Sequence, residues 1–219
     1  MDLFPLYNSI RISFISTFFI FFISIFIANF VVYIPRYLKG IIDVILTMPL
    51  VLPPTVIGYL VLRILGPRRV IGSFFIKYFN FRFTMNWWSG IIATMIVIFP
   101  LMYRAIRSSF ESYDNTYSEI GLDLGASKFK TFCLIKLPIC KNGLIAGIVL
   151  SFARALGEYG ATSMLCGYMP KKTATIATTV YHLWQIDNDK LATFWVIINI
   201  IISTIVLFFI NFVEKERKK

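Results

Sequence analysis

Two groups of residues in this chain have types and spacings that do chemistry. Arg154 and Glu158 stand four apart inside an otherwise apolar run, which lets them pair on a helix. An unpaired charge at bilayer depth costs roughly 2.5–3.5 kcal/mol on insertion scales, so charges kept there are usually paired and inward-facing. Their chemistry is charge handling away from water, either as a lock between helices or as the lining or gate of an anion path. The second group is the polar segment 116–138, TYSEIGLDLGASKFKTFCLIKLP, whose chemistry is docking. Thr116 and Glu119 have capping-box spacing, so a helix is expected to start there. Ile120 and Leu124 fall on one face, Gly125 permits a turn, and Ser127 caps a second short helix. On that helix Phe129, Phe132 and Cys133 share a face, Lys128 and Lys130 stay solvated, and Pro138 ends the element. Two short helices with an apolar knob and a basic rim fit a groove on another protein. Composition alone equally allows an amphipathic loop lying on the membrane.

Catalytic and metal chemistry find no foothold. His182 is the only histidine and has no partner at ligand spacing. Cys133, Cys140 and Cys166 are scattered and odd in number, as packing residues are. No GxxxxGK[ST] occurs, so ATP is not bound here in that manner. The chain reads as a non-enzyme without a cofactor of its own. Its 219 residues are 58% hydrophobic and 15% charged, with a mean hydropathy of +0.74, which a soluble domain cannot accommodate. The net charge of +11 lacks the basic run of a nucleic-acid binder and instead sets membrane orientation. No cleavable signal is evident, because the first apolar run is too long and no small-residue site follows it.

The elements that must position these residues are about five transmembrane helices in one all-α polytopic domain, 1–219. Residues 12–34 form an uninterrupted apolar run without ionisable side chains, expected to be an outer, lipid-facing helix, followed by a short basic loop with Arg36 and Lys39. Residues 41–65 form a second span interrupted by Pro49, Pro53 and Pro54. Such breaks persist against protein or a water-filled path, so this is either a tolerated kink or part of a pathway. Residues 66–88 read as a loop carrying Arg68, Arg69, Lys77 and Arg82, with Trp87 and Trp88 as an interfacial anchor. By alternation this loop is external, against the positive-inside rule; its cations either concentrate anions or pair with lipid phosphates. The third span is 89–103, ending at Pro100. The fourth, 142–166, carries two small-residue ribbons, Gly143, Gly147, Ser151, Ala155 and Ala153, Gly157, Ala161. An external connector, 167–191, leads to a fifth span at 192–213 and a basic tail, EKERKK.

Several stretches resemble one family. Glu119, Gly125 six residues on, then Ile135, Leu137 and Pro138, match the EAA loop of ABC-importer permeases in register. Ile120 and Gly121 stand where the family usually has two alanines, and small or apolar residues still fill both slots. LPLVLPPTVIGYL, FPLMYRAIRSSFES, FARALGEYGAT and MPKKTATIATTVYHLWQ are similar to segments of the molybdate/tungstate-type permeases, with Lys171 where the family has glycine. The resemblance runs from about residue 35 to the carboxyl end.

That resemblance implies a type I importer permease fold in the cell (inner) membrane, with the EAA loop and carboxyl terminus cytoplasmic. It implies a homodimer working with a cytoplasmic ATPase dimer, which would hold ATP and Mg, and with an external oxyanion-binding protein. The coupling residues it points to are Glu119, Gly125, Ala126, Phe129, Phe132, Leu137 and Pro138. Path candidates are Pro53, Pro54, Thr55, Arg154, Glu158 and Ser163. The expected cargo is a tetrahedral oxyanion, molybdate or tungstate, carried by alternating access. Alternatives are a sulfate-type permease, an ion-coupled stand-alone carrier, or a membrane subunit without transport. A carrier would call for relay acids and an internal repeat, and no repeat is visible.

Overall fold

Residues 2–215 are described by the computed structural model, and no β-strand occurs among them. Helix α1 spans Phe4–Val32, with Pro5 in its first turn, where a missing N–H costs nothing. It begins before the expected start at residue 12 and includes Arg11, whose guanidinium stacks 3.3 Å over the Trp87 ring. The expectation of an outer helix is only half correct. Phe14, Phe18, Phe22, Phe26 and Phe30 do face outward, but Ser9, Ser13, Ser16, Ser24 and Ala28 are buried. That second face packs chiefly against α5 (Trp87–Glu111). Lipid is as apolar as leucine, so small residues rather than large ones mark a packed membrane face.

Helices α2 (Arg36–Val51) and α3 (Pro54–Leu65) replace the expected second span, and they meet at an angle of 110°. Leu52 is extended, as a residue before proline must be, and Pro53 sets the entry to α3. The expected loop 66–88 holds a further helix, α4 (Val70–Phe79), too short to cross a bilayer at 1.5 Å per residue. Helix α5 does not end at Pro100. Proline is tolerated inside a membrane helix where neighbours enclose it, and Pro100 is buried there.

After α5 come α6 (Thr116–Asp123), α7 (Lys128–Thr131), a π-helical turn over Phe132–Lys136, and α8 (Leu137–Ile139). A 71° bend at Cys140 leads into α9 (Lys141–Leu156). The expected continuous fourth span breaks after Leu156 and resumes as α10 (Gly160–Cys166). Its first small-residue ribbon lies against α5, where Gly147 approaches Met102 and Ala105. The second ribbon is interrupted by the break at Gly157. The connector contains α11 (Ile176–Gln185), opened by a capping box between Thr175 and Thr178. Helix α12 (Asp189–Lys215) is the last, and the end of the basic tail lies outside the described residues. Among the described residues three helices, α1, α5 and α12, are long and apolar enough to cross a membrane alone, and there are up to five spans if each bent pair counts as one.

Long-range polar contacts define two ends. At one, Lys39 pairs with Glu111, Arg107 with Asp43, and Lys136 reaches Asn29. At the other, Asn8 donates to the carbonyls of Thr173 and Ala174, and Met85 N–H donates to Leu165 O.

Candidate docking surface and translocation path

The docking segment hangs from the carboxyl end of α5. Its first helix is not capped as expected. Thr116 is already helical, Asn115 holds the N-cap position without a side-chain bond, and Asp114 Oδ1 accepts the Thr116 N–H at 2.9 Å. Hydrogen bonds from Thr116 hold the Asp114 carboxyl below its ordinary range. Glu119 therefore stays free and exposed rather than folded back on the cap. Gly125 has φ +86°, and Ala126 N–H returns to Gly121 O at 3.0 Å, closing α6 in a left-handed turn. Ser127 caps α7 by accepting the Lys130 N–H, as its spacing suggested.

The apolar face divides. Phe129 is 75% exposed, and so is Leu124, at 84%. Phe132 instead packs edge-on to Phe110, and Leu137 joins the same core. The π-turn adds a residue per turn and rotates the succeeding side chains inward. Pro138 does not end the helix, since α8 continues to Ile139. Of the expected coupling residues, Glu119, Gly125, Phe129 and Pro138 face outward, Ala126 is half-buried, and Phe132 and Leu137 anchor the segment. Leu134, 72% exposed, extends the outer apolar surface and was hidden from a strict helical count by the π-turn.

The path candidates come together where two helices are broken. A Cβ on Gly160, first residue of α10, would lie 2.9 Å from Pro54 Cβ and 3.0 Å from Thr55 N at the start of α3. Glu158 sits in the break between α9 and α10. Its Oε1 accepts the Ala161 N–H at 2.8 Å, and its Oε2 lies 2.9 Å from Arg154 Nη1. The pair is asymmetric: the Glu158 side chain is 1% exposed and that of Arg154 36%. A cavity of about 10 Å³ beside the carboxylate is lined by Ser9, Thr94, Thr162 and Thr175, room for about one water. Ser163 donates to the Gly160 carbonyl at 2.9 Å, so its hydroxyl is engaged within α10. Residues missed from the sequence are Gly160, Thr94 and Thr162, whose small or hydroxyl character carries no signal without the fold. Along the last turns of α3 and the loop after it, Tyr59, Arg63, Arg68 and Arg69 line an open cleft of about 300 Å³. His182 stacks on Tyr168, and no cluster of metal-ligating side chains occurs among the described residues. Lys171 keeps a positive φ of 57°, the conformation a glycine adopts there without strain.

Comparison with known proteins agrees with this geometry. The putative molybdenum transport system permease protein YvgM of Bacillus subtilis (strain 168) is 38% identical over 173 residues, 79% of this chain and 76% of the relative. The molybdenum transport system permease protein ModB of Escherichia coli (strain K12) is 40% identical over 152 residues, 69% of this chain and 66% of the relative. The sulfate transport system permease protein CysT of the same organism is more distant, 26% identical over 178 residues, 81% of this chain and 64% of the relative. Among solved structures, a bacterial alginate ABC transporter in complex with a pentasaccharide-bound periplasmic protein shares the fold, at a TM-score of 0.77 and 18% identity over 99% of this chain and 79% of that one. Residues 20–219 match the model of the binding-protein-dependent transport system inner membrane component, and the chain belongs to that family of ABC-importer permeases, transport subunits whose ATPase is a separate protein.

Proposed function

We propose that this chain is the membrane permease of an ATP-driven importer of molybdate, with tungstate as a second cargo. The observation that carries the coupling half of this reading is the outward pair Leu124 and Phe129, held at the tip of the docking segment by the left-handed Gly125 turn and rimmed by Lys128 and Lys130. Exposed apolar side chains on a polar, non-spanning segment call for a protein partner. That partner is a cytoplasmic ATPase dimer, which holds ATP and Mg. Two copies of the permease and an external oxyanion-binding protein complete the assembly, and the docking segment and carboxyl end face the cytoplasm. Nucleotide closure brings the two docking segments together and rocks the spans between inward- and outward-open states.

The cargo assignment draws on the relatives named for molybdenum transport and on the chemistry of the path. A tetrahedral dianion does not cross hydrocarbon unaided, so the path supplies donors and positive potential. Thr55 and Arg154 near the helix breaks and Arg63, Arg68 and Arg69 at the outer cleft provide them, while tight selection belongs to the binding protein. The test is radiolabelled molybdate uptake in a strain lacking its own importer, with tungstate and sulfate as competitors and with ATP and the ATPase subunit supplied or withheld in vesicles. Uptake that needs both, and that tungstate but not sulfate competes away, is expected. Uptake without ATP would point to an ion-coupled carrier, and competition by sulfate to a sulfate-type permease.

A further inference from the structure

Lys136 lies in the π-turn and is 3% exposed, yet no carboxylate pairs with it among the described residues. Its ammonium is held by a cage. Asn29 Oδ1 accepts from Nζ at 2.8 Å and the Tyr33 hydroxyl at 3.4 Å. The rings of Phe110, Tyr33 and Tyr113 stand with centroids 4.7, 5.1 and 5.7 Å from the nitrogen. The walls come from three parts of the molecule. Asn29 lies in α1 and Tyr33 at its end, Phe110 lies in α5, and Tyr113 lies in the link to α6, where its hydroxyl bonds Ser118 at 2.7 Å.

A cation is costly to bury, and a methionine would fill the same volume without that cost. Cation–π attraction strengthens once the charge is desolvated, so three rings and an amide oxygen make the contact tight and directional. The covalent route out of the docking segment toward α9 is bent by 71° at Cys140, so the segment does not run straight on into that helix, and side-chain contacts form a second link between it and the spans. We propose that Lys136 is a positioning residue for coupling, a bolt through which movement of the docking segment is passed to α1 and α5. The π-turn exists in register with this role, because its extra residue is what turns Lys136 inward. The inference rests on the docking reading above but is separable from it.

The test is the number of molybdate ions carried per ATP hydrolysed, measured in proteoliposomes holding permease, ATPase and binding protein. In Lys136→Met the ATPase still co-purifies and hydrolyses ATP, while the number of molybdate ions carried per ATP falls. Should that variant fail to assemble, Tyr33→Leu removes one exposed wall of the cage with Lys136 left in place, and the same direction of change is expected. An unchanged ratio in whichever variant assembles overturns the proposal, even if yield has dropped. Failure of the wild-type permease to retain the ATPase is a different result, and it would remove the docking reading itself.

Discussion

Gly160 and Thr55 bring two broken helices into backbone contact: a Cβ added to Gly160 would stand 3.0 Å from Thr55 N and 2.9 Å from the rigid Pro54 ring. Neither neighbour is a flexible side-chain tip, so Gly160→Ala forces α3 and α10 apart. The expected loss is about 1–3 kcal/mol, read as a lower melting temperature of the detergent-solubilised protein. Gly157→Ala, three residues away, is the control. Its Cβ would meet nothing within 4 Å, and its φ of −91° suits any residue, so a change within about 0.5 kcal/mol is expected. Equal melting temperatures for the two variants would mean that the contact does not hold the helices together.

The Arg154–Glu158 pair yields a second prediction, sharpened by its asymmetry. Arg154→Ala leaves a carboxylate buried with only the Ala161 N–H beside it. Because Arg154 is itself partly exposed, the loss is smaller than for a fully buried pair, roughly 1–3 kcal/mol. Glu158→Ala instead leaves a partly exposed arginine without its partner and removes the acceptor of the Ala161 N–H at the start of α10. Folded yield by size-exclusion chromatography should drop more for Arg154→Ala than for Glu158→Ala, and the double variant should recover yield relative to Arg154→Ala. Additive losses in the double variant would show that the two charges act independently. Recovered yield without recovered uptake would add a role in the path to the structural one.

Much of this arrangement is legible in the sequence, and the misses share physical causes. The proline cluster at 49–54 marks a break because proline removes a donor and restrains its predecessor. The break at 157–159 carries only Gly157, a stop signal that also fits a small-residue packing ribbon, and neither Glu158 nor Tyr159 stops a helix by itself. Pro100 gives the opposite error, because burial on all sides lets a helix run through a residue that would end it in water. The buried face of α1 is written in Ser9, Ser13, Ser16 and Ser24, which read as weak polarity on a soluble hydrophobicity scale and as a packing stripe in a membrane. The capping box at Thr116 fails because Asp114 reaches the same N–H first. Phe132 is misassigned to the outer face, and Lys136 carries no signal at all, because the π-turn shifts register and no local propensity announces it.

Gly125 is constrained by torsion rather than by space. Its φ of +86° falls where side chains are strained, yet a Cβ there would meet nothing within 4 Å. Gly125→Ala should therefore cost about 1–2 kcal/mol through the backbone alone. Gly125→Asn, which tolerates the left-handed region, should cost less, and both proteins should insert normally. Gly125→Asp adds a negative charge between Leu124 and the basic rim, so co-purification of the ATPase should fail while insertion survives. Glu119→Lys, on the same exposed surface, should act likewise. Normal ATPase recovery with both charge variants would show that this surface is not the docking site.

Orientation is the remaining prediction, and the charge count does not decide it. Arg36, Lys39, Arg104, Arg107, Lys128, Lys130, Lys136 and Lys141 lie toward one end; Arg11, Arg63, Arg68, Arg69, Lys77, Arg82, Lys171, Lys172 and Lys190 lie toward the other. The positive-inside bias is a difference between ends, and short of the basic tail the two sets nearly cancel. Contacts decide instead. Lys39 pairs with Glu111, and Lys136 reaches Asn29 and Tyr33, so the loop after α1 and the docking segment share an end. Arg11 stacks on Trp87, which puts the start of α1 and the approach to α5 at the opposite end, together with the Arg-rich loop. On the proposed docking to a cytoplasmic ATPase, the docking end is the cytoplasmic one. In a background lacking Cys133, Cys140 and Cys166, a cysteine at the exposed Lys77 position should react with an impermeant thiol reagent on intact cells. One at Lys130, equally exposed, should react only after permeabilisation. Labelling of the Lys130 site from outside would invert the molecule in the membrane, and no cytoplasmic ATPase would then reach Leu124 and Phe129.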